Sequence, residues 1–95
     1  MDHLYLYTRP GCDLCDEARS TLEGLLAERT AAGLPSPTIV ERDIDSNDWW
    51  QRAFLATIPV IDLGERRLEL AVSPVRIRRL LADALDVPAP AGSGG

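Results

Sequence analysis

The chain contains a single pair of cysteines, Cys12 and Cys15, in the spacing Cys-x-x-Cys. An apolar segment, residues 3–8, precedes the pair, and a helical pattern of apolar residues follows it. Pro10 and Gly11 stand between the two patterns and predict a turn. The sequence therefore predicts a strand-to-helix connection in which Cys12 lies where the helix begins.

A Cys-x-x-Cys pair at such a connection indicates thiol–disulfide exchange. The N-terminus of a helix has unpaired backbone N–H groups and the positive end of the helix dipole, and both favour negative charge. They stabilise the thiolate of Cys12, and the thiolate rather than the thiol is the nucleophile. Cys15 follows one helical turn later, close enough to attack a mixed disulfide formed at Cys12.

Acidic residues oppose this effect, because Asp13, Asp16 and Glu17 crowd the first turn of the predicted helix. A like charge nearby disfavours a thiolate. Asp13 is adjacent to Cys12 but is expected to be solvated, so screening limits its effect. We therefore expect a Cys12 pKa below the ~8.5 of a free thiol but above the ~3.5 of the most oxidising Cys-x-x-Cys proteins, with Asp13 tuning the value.

Length and composition predict one small domain, residues 1–87, followed by a tail at 88–95 that has nothing to bury and should be disordered. The net charge of −5 argues against nucleic acid as a partner. No apolar run is long enough to span a membrane. Met1-Asp2-His3 lacks the pattern of a signal peptide, so we expect a cytoplasmic protein. In that compartment a lone cysteine pair is more often catalytic than structural. We also expect the protein to be a monomer.

The first strand and first helix are predicted to supply most of the core. In the strand at residues 3–8, the leucines face one side and the tyrosines the other, which indicates burial on both faces. The helix runs from residue 13 to about residue 32, and Cys15 should be largely buried beside its apolar stripe. The residues of that stripe are Leu14, Ala18, Leu22, Leu25 and Leu26.

The middle of the chain predicts a second strand at residues 38–44 and a short helix that begins within 45–48. This helix carries two adjacent tryptophans, which cannot share one helix face. Trp50 is expected inside because it lies four residues before Phe54. Trp49 is expected to be partly exposed, either as surface packing or as a patch that binds a partner.

A hairpin and a final helix complete the order β-α-β-α-β-β-α. The hairpin joins strands at residues 57–62 and 67–72 through a turn at Gly64. Ser73 is a good N-cap, and Pro74 suits the first position of the last helix. Short connections favour parallel pairing of the first two strands, and the hairpin gives an antiparallel pair. The sequence therefore predicts an α/β domain with a four-stranded mixed sheet and three helices on its two faces.

This order, with Cys-x-x-Cys at the start of the first helix, resembles the thioredoxin fold and the glutaredoxins in particular, over residues 3 to about 87. The segment Tyr7-Thr8-Arg9-Pro10-Gly11-Cys12-x-x-Cys15 is similar to the one that forms the glutaredoxin active site. Arg9 stands where that family has a basic residue that contacts glutathione. Thr57-Ile58-Pro59 resembles the family's Thr-Val-Pro, whose proline follows a cis peptide bond and faces the cysteines.

The resemblance implies a dithiol–disulfide oxidoreductase in which Cys12 attacks and Cys15 resolves. It also implies that the backbone of Ile58 hydrogen-bonds an extended thiol substrate, which would be glutathione or a protein with a thiol or disulfide. Glutathione is then a candidate co-substrate, and we expect no metal and no resident cofactor. The substrate-binding residues that the resemblance implies are Arg9, Thr57, Ile58 and Pro59.

Two segments differ from the glutaredoxin pattern. Glutaredoxins usually have Pro-Tyr between the cysteines, where this chain has Asp13-Leu14. They also have a Gly-Gly pair and an acidic residue ahead of the last helix, where this chain has Leu70-Ala71-Val72-Ser73-Pro74. Glycine allows a ligand to approach the backbone closely, so side chains here should obstruct glutathione. The whole sequence most resembles the short glutaredoxin-like proteins of bacteria.

Other interpretations of the cysteine pair stay open. The main alternative is a thioredoxin-fold redox sensor or protein-binding module, with Trp49 contacting the partner. A zinc site would need about four ligands, whereas the chain offers two cysteines and His3, at the far end of the first strand. A structural disulfide across so short a loop would restrain little of the unfolded chain. An iron–sulfur cluster shared between two chains is known for some glutaredoxins.

Overall fold

The computed structural model of the chain describes residues 2–86, which form four strands, three α-helices and one 3₁₀ turn. The predicted order β-α-β-α-β-β-α is confirmed. The predicted disorder of residues 88–95 lies outside the described residues. In chain order the elements are β1 (His3–Thr8), α1 (Asp13–Ala31), β2 (Thr38–Asp43), the 3₁₀ turn (Ile44–Ser46), α2 (Asp48–Phe54), β3 (Val60–Leu63), β4 (Arg66–Leu68) and α3 (Pro74–Leu85).

The four strands form one mixed sheet in the order β2-β1-β3-β4. β1 pairs in parallel with β2 along its whole length, so that Thr8 lies opposite Asp43. On its other side β1 pairs antiparallel with β3, where Tyr7 lies opposite Val60, and β3 pairs antiparallel with β4. The predicted α/β thioredoxin-type fold is therefore confirmed.

Side-chain alternation along β1 divides the core between the two faces of the sheet. Leu4 and Leu6 are fully buried and belong to the cluster that includes residues of α1 and α3. Tyr7 lies on the other side and packs with Phe54 of α2 and with Val60. Helices therefore cover both faces, as the alternation predicts.

The apolar stripe of α1 is confirmed except for Leu14, which is 48% exposed. The stripe is centred on Cys15, Ala18 and Leu22, and at the helical periodicity Leu14 falls at its margin. Cys15 has no exposed surface and occupies the inward position in the first turn. The prediction that Leu14 belongs to the core was therefore wrong. Its side chain is presented to solvent between the two cysteines.

The last strand is shorter than the predicted strand at 67–72. β4 ends at Leu68, and Leu70 adopts a φ of 48°, a left-handed conformation that is uncommon outside glycine. The N–H groups of Leu70 and Ala71 then donate to carbonyls within residues 57–59, each at 2.8 Å. The chain therefore leaves β3 and follows the loop that precedes it. Polar and apolar residues alternate over 67–72, and this alternation predicted a longer strand than the backbone forms.

Four further features were predicted from the sequence: the hairpin turn, the start of α3 and the burial of each of the two tryptophans. The hairpin turn has Gly64 at a φ of 61°. The Ser73 hydroxyl accepts from the Arg76 N–H at 3.3 Å and caps α3, as predicted. Trp50 is half-buried against the cluster around Tyr7, whereas Trp49 is 72% exposed. The predictions for all four features are confirmed.

Replacing Leu22 and Leu14 separately tests the burial difference along α1. Leu22→Ala should lower the free energy of unfolding by about 2–5 kcal/mol, because it leaves a cavity between α1 and the sheet. Leu14→Ala should change it by no more than about 0.5 kcal/mol, because the side chain is exposed. Chemical denaturation of the two oxidised variants measures both effects. Equal losses would contradict the placement of Leu14 outside the core.

Candidate redox site

Cys12 and Cys15 form a disulfide across the first turn of α1, with their Cα atoms 5.2 Å apart. Cys12 is the N-cap residue of α1, with an extended backbone at φ −99° and ψ 105°. Its Sγ accepts a hydrogen bond from the Cys15 N–H at 3.1 Å. That N–H belongs to the helix N-terminus and has no partner within the helix. The predicted position of Cys12 at the start of the helix is therefore confirmed, and a backbone donor points at its sulfur.

The two sulfurs differ in accessibility. Cys12 is partly exposed, whereas Cys15 is fully buried beneath the first turn. An external disulfide can therefore reach Cys12 but not Cys15. This asymmetry supports Cys12 as the attacking residue and Cys15 as the resolving residue.

The loop before Cys12 is a tight turn. The Cys12 N–H donates to the Arg9 carbonyl at 3.3 Å, and Gly11 takes a φ of 77°. Glycine adopts this left-handed conformation without strain, whereas other residues do not. The turn places Cys12 close to the end of β1.

Arg9, the predicted glutathione contact, is directed towards the 3₁₀ turn that follows β2. Its Nε donates to Asp45 Oδ2 at 3.1 Å, and Gln51 Nε2 donates to the other oxygen of the same carboxylate at 3.3 Å. A substrate carboxylate would compete with Asp45 for the guanidinium. The predicted role of Arg9 in binding glutathione stays a prediction.

The segment Thr57-Ile58-Pro59 lies at the same end of the sheet as the cysteine loop. Val60 pairs with Tyr7, so the residue before Val60 lies beside the end of β1. The Ile58–Pro59 peptide bond is cis, as the resemblance implies. The Ile58 N–H donates to the Phe54 carbonyl at 3.0 Å, whereas the Ile58 carbonyl accepts no hydrogen bond within residues 2–86. Of the two backbone groups of Ile58, only the acceptor is open to a substrate.

A network of charged residues connects the first turn of α1 to the sheet. Arg19 donates from Nη1 to Asp16 Oδ1 at 3.0 Å and from Nε to Glu41 Oε1 at 2.7 Å. Thr8, the last residue of β1, donates its hydroxyl to the other Glu41 oxygen at 2.7 Å. The hydrogen bond from Arg19 is the main cause that holds the pKa of Glu41 below its usual value. Arg19 therefore partly neutralises the negative charge of Asp16, one of the three acidic residues near Cys12.

Sequence reasoning missed this network. The spacing of Asp16 and Arg19, three residues apart on a helix, is a recognisable signal for an ion pair. Glu41 gave no comparable signal, because its approach to α1 depends on the register between β1 and β2.

Two absences within residues 2–86 bear on other kinds of site. No three His, Cys, Asp or Glu side chains gather there in a group that could hold a metal ion. None of the helices in the same range has the length and apolar character needed to cross a membrane.

We call the segment Thr57-Ile58-Pro59 the cis-proline loop. It lies at the same end of the mixed sheet as the cysteine pair at the start of α1. Together these features define a thioredoxin-fold protein of the glutaredoxin type. A family model described as Glutaredoxin-like domain (DUF836) matches residues 3–84. The chain therefore belongs to this glutaredoxin-like family.

Solved structures of a target protein of the Northeast Structural Genomics consortium, XcR50 from X. campestris, resemble the chain. Its X-ray structure has 27% sequence identity and a TM-score of 0.68, and the match covers 85% of this chain and 97% of that chain. Its solution structure has 28% identity and a TM-score of 0.62, over 85% of this chain and 94% of that chain. No curated protein matches the sequence.

Removing the charge next to Cys12 should lower the pKa of its thiol. In a Cys15→Ser background, where Cys12 is the only thiol, Asp13→Asn should lower this pKa by up to about 0.7 unit. Exposed charge pairs are worth about 0.2–1 kcal/mol, and one pKa unit corresponds to about 1.4 kcal/mol. The ultraviolet absorbance of the thiolate against pH measures it, with Asp83→Asn on α3 as a control. An unchanged or raised pKa would show that Asp13 does not act through its charge.

Removing the arginine that compensates Asp16 should have the opposite effect. Arg19→Gln leaves Asp16 and Glu41 without their cation, so the pKa of Cys12 should rise in the same background and assay. Arg78→Gln is the matched control, because Arg78 pairs with Glu28 on another part of the surface. Equal shifts in the two variants would attribute the effect to net charge and would contradict a local role for Arg19.

Proposed function

We propose that this protein is a dithiol–disulfide oxidoreductase that works through Cys12 and Cys15. The observation that carries the proposal is the pairing of an accessible sulfur, capped by a backbone N–H at a helix N-terminus, with a buried sulfur one turn later. Exchange needs a stabilised thiolate that an external disulfide can reach and a second thiol that is held close to it. Membership of a glutaredoxin-like family supports the same activity.

The proposed reaction starts from the reduced pair. The Cys12 thiolate attacks one sulfur of a client disulfide, a bond forms between them, and the second client sulfur leaves as a thiolate and takes up a proton. Cys15 then loses its proton and attacks the Cys12 sulfur. The mixed disulfide breaks, the first client sulfur leaves and is protonated, and the protein holds the Cys12–Cys15 disulfide. The client has gained two electrons from the cysteine pair and two protons, one released by Cys15 and one taken from solvent.

The reverse exchange with a thiol reductant would restore the reduced pair. A reducing compartment keeps such reductants available, so we propose the cytoplasm as the location. Glutathione and protein dithiols are the two classes of reductant that this chemistry admits.

A redox sensor or protein-binding module is the second candidate. Trp49 supports it, because this large apolar side chain is 72% exposed on α2. In that case the cysteine pair would oxidise and reduce reversibly without repeated turnover, and the surface around Trp49 would bind a protein.

Turnover assays on cysteine variants separate the two candidates. Wild-type protein should catalyse either glutathione-dependent reduction of a mixed disulfide or reduction of insulin with thioredoxin reductase. Cys12→Ser should reduce the rate to the uncatalysed background, and Cys15→Ser should accumulate a mixed disulfide at Cys12 that mass spectrometry detects.

Two outcomes would count against the oxidoreductase. One is a Cys12→Ser variant that is as active as the wild type. The other is a wild type that fails in both assays while its cysteine pair still oxidises reversibly, which is the behaviour expected of a sensor.

A further inference from the structure

Three exposed apolar side chains lie on the segments that form the redox site. Leu14 lies between the two cysteines and is 48% exposed. Leu70 and Val72, which are 54% and 47% exposed, lie on the segment between β4 and α3. We call these three residues the apolar rim. Single exposed apolar residues are ordinary, whereas exposed apolar residues that form a contiguous surface are typical of a binding site.

Hydrogen bonds place the two parts of the rim at the same end of the sheet. Leu70 N–H donates to the Thr57 carbonyl and Ala71 N–H to the Pro59 carbonyl, each at 2.8 Å. Pro59 precedes the residue that pairs with Tyr7 near the end of β1. The tight turn from Arg9 then brings the chain to the first turn of α1, which carries Leu14. The segment with Leu70 and Val72 therefore lines the cis-proline loop on the side away from β1.

The charges around Cys12 are unfavourable for an anionic substrate. Asp13 and Asp16 in the first turn of α1, and Glu17 directly after it, are all exposed. The arginines nearest to the cysteines in the sequence are both held by carboxylates of the protein, Arg9 by Asp45 and Arg19 by Asp16 and Glu41. Because Asp16 is paired with Arg19, the exposed carboxylates that remain beside Cys12 without a salt bridge in the described part of the chain are those of Asp13 and Glu17.

The backbone adds one polar contact to this surface. The Ile58 carbonyl has no hydrogen-bond donor within residues 2–86, whereas the Ile58 N–H is already bonded to the Phe54 carbonyl. A ligand that complements the site therefore brings a backbone N–H, apolar side chains and no negative charge. Glutathione is a small tripeptide with two carboxylates and no apolar side chain, so it matches the surface poorly.

We propose that the client of this site is a polypeptide disulfide with apolar, uncharged residues beside its cysteines, and that glutathione disulfide is a poor substrate. This inference rests on the proposed oxidoreductase function and specifies its substrate class. The apolar rim would contact the side chains next to the client cysteine while Cys12 attacks its sulfur. The electrons and protons move as described for the exchange above.

Peptide disulfides that differ only in their flanking residues test the proposal. Three peptides of the same length and disulfide loop would carry Leu, Ser or Glu beside the reactive cysteine, and glutathione disulfide would be the fourth substrate. For each disulfide we measure the rate constant for its oxidation of the reduced protein. This value is divided by the rate constant for the reaction of the same disulfide with a small free thiol, which removes differences in intrinsic reactivity. We expect the Leu peptide to exceed the Ser peptide about tenfold, equivalent to about 1.4 kcal/mol of apolar burial. The Glu peptide and glutathione disulfide should be slower than the Ser peptide.

A variant pair assigns the preference to the rim. Leu14→Ser combined with Val72→Ser should bring the ratio of the Leu-peptide rate to the Ser-peptide rate close to one. Leu34→Ser is the matched control, because Leu34 is 45% exposed in the loop after α1 and lies outside the site. It should keep the wild-type ratio.

The outcomes separate this inference from the proposed function. Equal normalised rates for the Leu peptide and glutathione disulfide would overturn the substrate class and leave the oxidoreductase standing. A Leu preference that persists in the double variant would overturn the role of the rim. A reduced protein that none of the four disulfides oxidises would instead overturn the proposed function itself.

Discussion

The hydrogen bond from the Cys15 N–H to the Cys12 sulfur links the fold of this protein to its chemistry. It is a helix N-cap, and a cap at this position requires the chain to turn sharply between β1 and α1. The same bond directs a donor and the positive end of the helix dipole at the sulfur that solvent can reach. Cys15, which supplies the N–H, belongs to the buried stripe of α1, so its own side chain lies in the core. One local geometry thus exposes Cys12, buries Cys15 and directs a backbone donor at the Cys12 sulfur, where it would stabilise the thiolate of the reduced pair.

The surroundings of this cap moderate its effect on the thiolate. An acidic first turn stabilises a helix through the dipole, but the same charges disfavour a thiolate at the N-cap. Arg19 reduces the conflict by bonding to both Asp16 and Glu41. Arg19 also links the start of α1 to Glu41 on β2. The Thr8 hydroxyl at the end of β1 donates to the same Glu41 carboxylate. The network therefore holds the two elements that the cysteine turn must join.

Local signals in the sequence were sufficient for most of the architecture and for the placement of the cysteines. Alternation in β1 sorted Leu4 and Tyr7 to opposite faces, and Ser73 marked the start of α3, because these features depend on neighbours along the chain. Leu14 was assigned to the core wrongly, although helical periodicity places it at the margin of a stripe in which Cys15 takes the inward position. Three other features depend on contacts between residues distant in sequence and were not predictable from local signals. They are the bonds of Leu70 and Ala71 to residues 57–59 beyond the end of β4, the pairing of Arg9 with Asp45, and the contact of Arg19 with Glu41.

The features that escaped prediction are also those that distinguish this site from a glutathione site. The exposure of Leu14, the course of residues 70–72 and the pairing of Arg9 with Asp45 each change what a substrate meets beside Cys12. None of them alters the sheet, the cap or the burial of Cys15. Under the proposed function, the exchange would depend on the cap and the choice of client on side chains at the end of the sheet. Substitutions at this end would then change the client without changing how electrons pass from the cysteine pair to it.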